Sequence, residues 1–143
     1  MDILAILNAM ESETTFVVKL WMGWMAFIFL LSIVFIPRYK AARWALAAIS
    51  ATGIGILITW ALTHSVHLFA IGHLIFWTPL AVYMWKTTLS PRARAASPEA
   101  AAPKAGGLYQ KSFMLWATLL VLTIIISLVF DVRDIYLVAT GVK

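Results

Sequence analysis

The sequence predicts an all-helical integral membrane protein: an up-down bundle of four transmembrane helices with a short N-terminal interfacial helix. Hydrophobic residues make up 63% of the 143 residues and charged residues only 12%, whereas soluble domains have about 45–50% and about 25%. The apolar residues form four stretches, each close to the roughly 20 residues that a helix needs to cross a bilayer core. We therefore predict a single membrane domain with spans at about 15–37, 43–63, 67–86 and 112–134.

The segment before the first span is amphipathic. Within residues 2–10, Asp2 and Asn8 can face water while Ile3 and Leu7 face lipid. This pattern predicts a short helix that lies in the membrane interface rather than crossing it.

The basic residues predict the orientation. Eight of the eleven Lys and Arg residues lie in the first and third connections, and short loops rich in Lys and Arg stay cytoplasmic. We therefore expect a protein of the plasma (inner) membrane whose N- and C-termini are both outside the cytoplasm. The same residues can contact anionic lipid headgroups, so the net charge of +5 does not require a nucleic acid partner. The eight are Arg38, Lys40, Arg43, Lys86, Arg92, Arg94, Lys104 and Lys111.

The three connections differ in character. Residues 63–67 are so few that the second and third spans must form an antiparallel hairpin. Residues 87–111 are rich in Pro, Gly and Ser without apolar periodicity, which predicts a mobile cytoplasmic linker. After the last span no helix breaker occurs before Gly141, so the helix should continue outward toward Thr140.

A polar stripe on the fourth span is the main candidate site. Three of its residues recur every fourth position and thus share one helix face. Because ionisable groups in a span seek a partner or water, we predict that Lys19 of the first span faces Asp131 or Asp134. This network is either an ion pair that fixes helix order or a hydrated path for ions or protons. Its members are Lys19, Thr123, Ser127, Asp131, Arg133 and Asp134.

Three histidines form a second candidate group for proton or metal binding. His64 and His67 lie in the external hinge, and His73 lies inside the third span. Their spacing fits known metal or haem sites poorly, and the absence of cysteine excludes thiolate ligands. We therefore expect no cofactor and no metal, with haem or metal binding through these histidines the weaker alternative.

His73 precedes a proline that should bend the third span. Pro79 cannot donate to the carbonyl of Ile75, so a kink is expected, and Thr78 could satisfy the freed oxygen. His73 and Trp77 lie one turn apart on the same face, beside this kink. The arrangement either lines a cavity or serves packing alone.

Small residues recur along the second span. Ala47, Ala51 and Gly55 are spaced four apart, and small residues let helices approach closely in lipid. This face predicts either packing within one chain or contact between subunits.

No arrangement of residues indicates an enzyme. The favoured function is an oligomeric channel or transporter for ions, protons or small solutes, in which the chain associates with itself. The alternative is a non-catalytic accessory or assembly subunit of a larger membrane complex. A haem- or quinone-binding redox subunit is the weaker third possibility.

Overall fold

The structure is a computed structural model that describes residues 4, 15–64, 68–96 and 107–141. Within these residues about 92% are helical and none is in a strand. The predicted interfacial helix at residues 2–10 lies outside the described residues except for Leu4. The elements are α1 (Phe16–Leu30), α2 (Ser32–Phe35), α3 (Lys40–Thr63), α4 (Phe69–Met84), a π-helical turn (Trp85–Leu89), α5 (Pro91–Ala96) and α6 (Gly107–Thr140).

Three helical segments are long and apolar enough to cross a membrane. Among the described residues these are Phe16–Phe35, Lys40–Thr63 and Gly107–Leu137. The third predicted span, at about 67–86, corresponds to α4, whose 16 residues rise only about 24 Å, less than the bilayer core of about 30 Å. The structure thus supports a helical membrane protein with three candidate spans.

α1 and the short α2 that follows it lie beside α6. The hydroxyl of Tyr109 in α6 donates to the carbonyl oxygen of Val34 in α2 at 2.7 Å. Farther along, the indole N–H of Trp24 in α1 donates to the hydroxyl of Thr123 in α6 at 3.1 Å. Residue numbers rise along α1 and α2 as they fall along α6, so α6 runs antiparallel to them.

α3 and α4 approach each other at two glycines. A methyl group added to Gly72 would lie 3.9 Å from the carbonyl oxygen of Thr52, and one added to Gly55 would lie 3.4 Å from the Phe76 ring. Gly55 therefore belongs to a packing face, but Ala47 is exposed and Ala51 is half-buried. α4 covers the neighbouring positions of α3, and a contact of Ala47 and Ala51 with another subunit stays a prediction. The buried residues of α3 are Ala41, Ala42, Ala45 and Thr52.

The core lies where these helices meet. Its largest fully buried apolar side chains come from α1, α4 and α6. Many other large apolar side chains on the same helices are exposed, which is what lipid-facing surfaces require. These largest side chains are Ile28, Phe29, Met84, Leu120 and Ile124.

The connection predicted as a mobile linker at 87–111 is helical at both of its described ends. Ser90 has extended backbone angles and its hydroxyl accepts the N–H of Ala93 at 3.2 Å, which caps the first turn of α5. Pro91 then occupies the first helical position, where its missing N–H has no cost. Ser90 and Pro91, which were predicted to belong to a linker, together start a helix. Residues 97–106 lie outside the described residues.

α6 continues without interruption to Thr140, as its lack of breakers predicted. Its 34 residues rise about 51 Å, well beyond the bilayer core. Gly141 follows with a φ of 68°, a left-handed conformation that glycine adopts readily and that ends helices.

Candidate functional site

The side chains of His73 and Asp131 lie within hydrogen-bonding distance of each other between α4 and α6. The Nδ1 atom of His73 lies 3.1 Å and 3.2 Å from the two carboxylate oxygens of Asp131. Both side chains are largely buried, at 17% and 13% relative exposure. Asp131 was predicted to belong to the polar stripe and His73 to the histidine group, so their pairing was not predicted. The available signal was their expected depth, since both were predicted in the outer half of the membrane.

Trp77 covers the other side of the imidazole. Its ring stacks on His73 with centroids 4.1 Å apart and an angle of 21° between the planes. The predicted one-turn spacing of these residues thus brings the two rings together. Trp77 is buried and also packs against Phe29 of α1, with ring centroids 5.1 Å apart. The imidazole therefore has a carboxylate on its edge and an indole on its face.

The polar stripe of α6 leads toward this pair. Thr123 and Ser127 are both buried, each at 4% exposure, and they precede Asp131 at four-residue intervals on one helix face. Thr123 accepts the indole N–H of Trp24 from α1. The predicted stripe thus faces the bundle interior, and its hydroxyls lie on the same face as the carboxylate.

The remaining charges of the predicted network are arranged differently. Arg133 donates to Asp134, its neighbour in sequence, at 3.1 Å, and both are substantially exposed. An exposed pair of this kind contributes little to stability. Lys19 is exposed on α1, and its predicted contact with Asp131 or Asp134 stays a prediction. Asp131 is oriented by His73, because the α4–α6 contact brings the imidazole to its carboxylate.

The other two histidines do not extend the site within the described residues. His64 ends α3 in a left-handed conformation with φ of 51°, and its ring meets that of Trp60 edge to face. His67 lies outside the described residues. Among those described, no group of three or more His, Cys, Asp or Glu side chains gathers as a metal site would require. The expectation of no metal and no haem stays a prediction.

Pro79 lies inside α4, which continues through it. Thr78 is exposed, whereas Trp77 and Leu80 on either side are buried. Thr78 therefore lies on the outer surface of the helix and away from the imidazole. The predicted kink stays a prediction.

No protein family, no curated protein and no solved structure matches the chain. The geometry of the His73–Asp131 pair is therefore the main guide to function.

Proposed function

We propose that the protein is an oligomeric membrane channel or transporter that moves protons, or a solute together with protons, through the His73–Asp131 pair. The pair joins two helices inside a largely apolar bundle, where ionisable side chains are costly and commonly serve transport. Imidazole is the side chain best suited to gain and lose a proton near neutral pH.

The proposed topology has four crossings, with α4 and the π-helical turn as the third. Together Phe69–Met84 and Trp85–Leu89 are long enough for a thin or locally deformed bilayer. Both termini would then lie outside the cytoplasm, with the pair in the outer half of the plasma (inner) membrane. The clustering of Lys and Arg in the first and third connections supports this orientation.

Self-association is part of the proposal because a single copy has a filled interior. Phe29, Leu120 and Ile124 are fully buried where α1 and α6 meet, and a close-packed apolar core excludes a wide aqueous path. A route for a solute would therefore run between copies or along the face that carries Ser127 and Asp131.

Proton flux into liposomes tests the proposal. The purified chain is reconstituted with an internal pH-sensitive dye, and a potassium diffusion potential drives protons inward. We expect dye acidification faster than in empty liposomes, and a loss of about tenfold or more in Asp131→Asn, as for other general acid–base groups.

Asp134→Asn is the matched control. It removes the same charge from the same helix, but Asp134 pairs with the exposed Arg133, so its flux should equal that of the unmodified chain. Equal flux in Asp131→Asn and Asp134→Asn would contradict the proposal, as would unmodified protein that behaves like empty liposomes.

An accessory or assembly subunit is the second candidate, and the length of α6 favours it. The helix exceeds the bilayer core by about 20 Å, so its end can contact another protein outside the lipid. Purification from native membranes tests this: other membrane chains should co-purify in fixed ratio, and a chain ending at Ile135 should lose them. A chain that purifies only with itself would contradict this candidate.

A haem- or quinone-binding redox subunit remains the weaker proposal. An imidazole that ligates a metal commonly bonds a carboxylate through its other nitrogen, which is the relation between His73 and Asp131. A visible absorption spectrum tests the haem form, and a colourless protein purified from native membranes would remove it.

A further inference from the structure

Ser32 carries a buried hydroxyl that lacks a partner among the described residues. The helical hydroxyls of Thr52, Thr59 and Thr118 each donate to the carbonyl oxygen four residues earlier, at 2.8–2.9 Å. Ser32 is 0% exposed, yet its oxygen has no hydrogen-bond partner in the described part of the chain. Ser32 therefore lacks the bond that these three threonines make.

The carbonyl that Ser32 would use is already engaged. Four residues before Ser32 lies Ile28, whose oxygen accepts the indole N–H of Trp116 at 2.9 Å. The helix also loses its regularity here, since α1 ends at Leu30 and α2 begins at Ser32. A tertiary hydrogen bond thus competes for the acceptor that the hydroxyl would otherwise find locally.

Trp77 carries a second buried polar group that lacks a partner among the described residues. Its side chain is 3% exposed, and its Nε1 donor has no acceptor in the described part of the chain. Phe29 relates the two groups, because its ring packs on Trp77 and Ser32 follows it by three residues on the same side of the helix. Phe29 therefore lies against Trp77 in space and one helical turn from Ser32 along the chain.

Such groups are costly in a membrane. A buried hydroxyl or N–H without a partner destabilises a folded protein, and the hydrocarbon of the bilayer offers no alternative partner. Internal water is the usual remedy, and it needs at least two polar partners. An indole donor and a hydroxyl that can both donate and accept meet this need.

We propose that internal water occupies the core beside Trp77 and Ser32 and continues the His73–Asp131 site into the bundle. Trp77 links the two regions, since one face of its ring stacks on His73 and its N–H serves the water. A role of this water in proton movement rests on the proposed function; its presence does not.

Nuclear magnetic resonance of the full chain tests the proposal directly. Tryptophan labelled with ¹⁵N at the indole gives one N–H signal for each ring, and Trp77→Phe identifies the signal of Trp77. In nanodiscs we expect magnetisation transfer between water and the Trp77 N–H, and deuterium exchange about tenfold faster than at Trp116. Trp116 is the matched control because its equally buried N–H is bonded to the Ile28 carbonyl.

A serine variant separates the possible outcomes. Ser32→Ala should weaken the water transfer to Trp77, while Ser50→Ala, which alters an exposed hydroxyl bonded to Leu46, should leave it unchanged. A Trp77 N–H without water transfer and with exchange as slow as at Trp116 would overturn the proposal. A signal that Ser32→Ala shifts without any water transfer would also overturn it, since Ser32 would then accept Trp77 directly.

The flux assay fails separately from this one. Water at Trp77 together with undiminished flux in Asp131→Asn would leave the hydration site standing and reject the proposed function. Lost flux in Asp131→Asn, together with a Trp77 N–H that shows no water transfer, would reject the hydration site and leave the proposed function standing.

Discussion

Trp116 of α6 donates its indole N–H to the backbone carbonyl oxygen of Ile28 in α1 at 2.9 Å, and both residues are buried. The bond ties the two helices at a level between the contacts of Tyr109 and Trp24. It also withdraws the acceptor that a regular helix would offer to Ser32. One side-chain donor thereby joins two helices, two residues before α1 ends at Leu30.

Trp116→Phe should destabilise the protein by about 1–3 kcal/mol, since it removes ring volume from the core and one buried hydrogen bond. Unfolding in increasing fractions of a denaturing detergent measures the free energy. The control is Trp85→Phe, because the Trp85 side chain is exposed. A loss at Trp116 no larger than that at Trp85 would show that the Ile28 contact contributes little.

The His73–Asp131 pair should be energetically coupled. In a double-mutant cycle with His73→Phe and Asp131→Leu, both close to the original shapes, we expect a coupling free energy of about 1–3 kcal/mol. The exposed pair Arg133–Asp134 is the comparison and should give about 0–1 kcal/mol. The same detergent unfolding measures all seven chains, and equal couplings in the two cycles would refute a special role for the buried pair.

Gly72 should not tolerate a large side chain. A methyl group added to Gly72 would lie 3.9 Å from the carbonyl oxygen of Thr52 in α3. Alanine therefore fits at this position, while leucine would force the two helices apart. We expect Gly72→Leu to lose about 1–3 kcal/mol of unfolding free energy. Gly53 is the matched control, because a side chain added there meets nothing within 4 Å, and Gly53→Leu should stay near the stability of the unmodified chain. Equal stabilities of the two leucine variants would contradict the close contact between α3 and α4 at Gly72.

Single cysteines can count the membrane crossings, since the chain has no native cysteine. With four crossings, a maleimide that cannot cross membranes should label Thr140→Cys in intact cells and Arg92→Cys only after permeabilisation. If α4 stays on one side, the two labelling patterns should exchange. Lys40→Cys is the reference for the cytoplasmic side in either case, and its labelling in intact cells would invert the whole orientation.

The helical membrane class could be predicted from the sequence because the length of the apolar stretches alone indicates membrane-spanning helices. Three of the predicted spans correspond to helices long enough to cross a membrane, and the extension of α6 to Thr140 followed from the missing breaker. These are local properties of a segment. They do not depend on which neighbour the segment meets.

The partner of Asp131 could not be deduced in the same way. A carboxylate in a span needs a partner, but Lys19 and His73 were both expected at similar depth. The choice between them depends on how α4 and α6 rotate against each other, which a single sequence does not encode in its periodicity. The small residues of α3 likewise lie on several sides of the helix, and which of them meet α4 depends on the same kind of rotation.

The unbroken helix of α6 also sets the spacing between two of its contacts. Between Trp116 and Asp131 it is an unbroken helix that rises about 22 Å at 1.5 Å per residue. The distance along α6 between the contact of Trp116 with α1 and the contact of Asp131 with His73 is therefore fixed. One residue inserted between them would turn Asp131 by about 100° around the rod, and the carboxylate would point toward a different neighbour even though no atom of the pair had been changed.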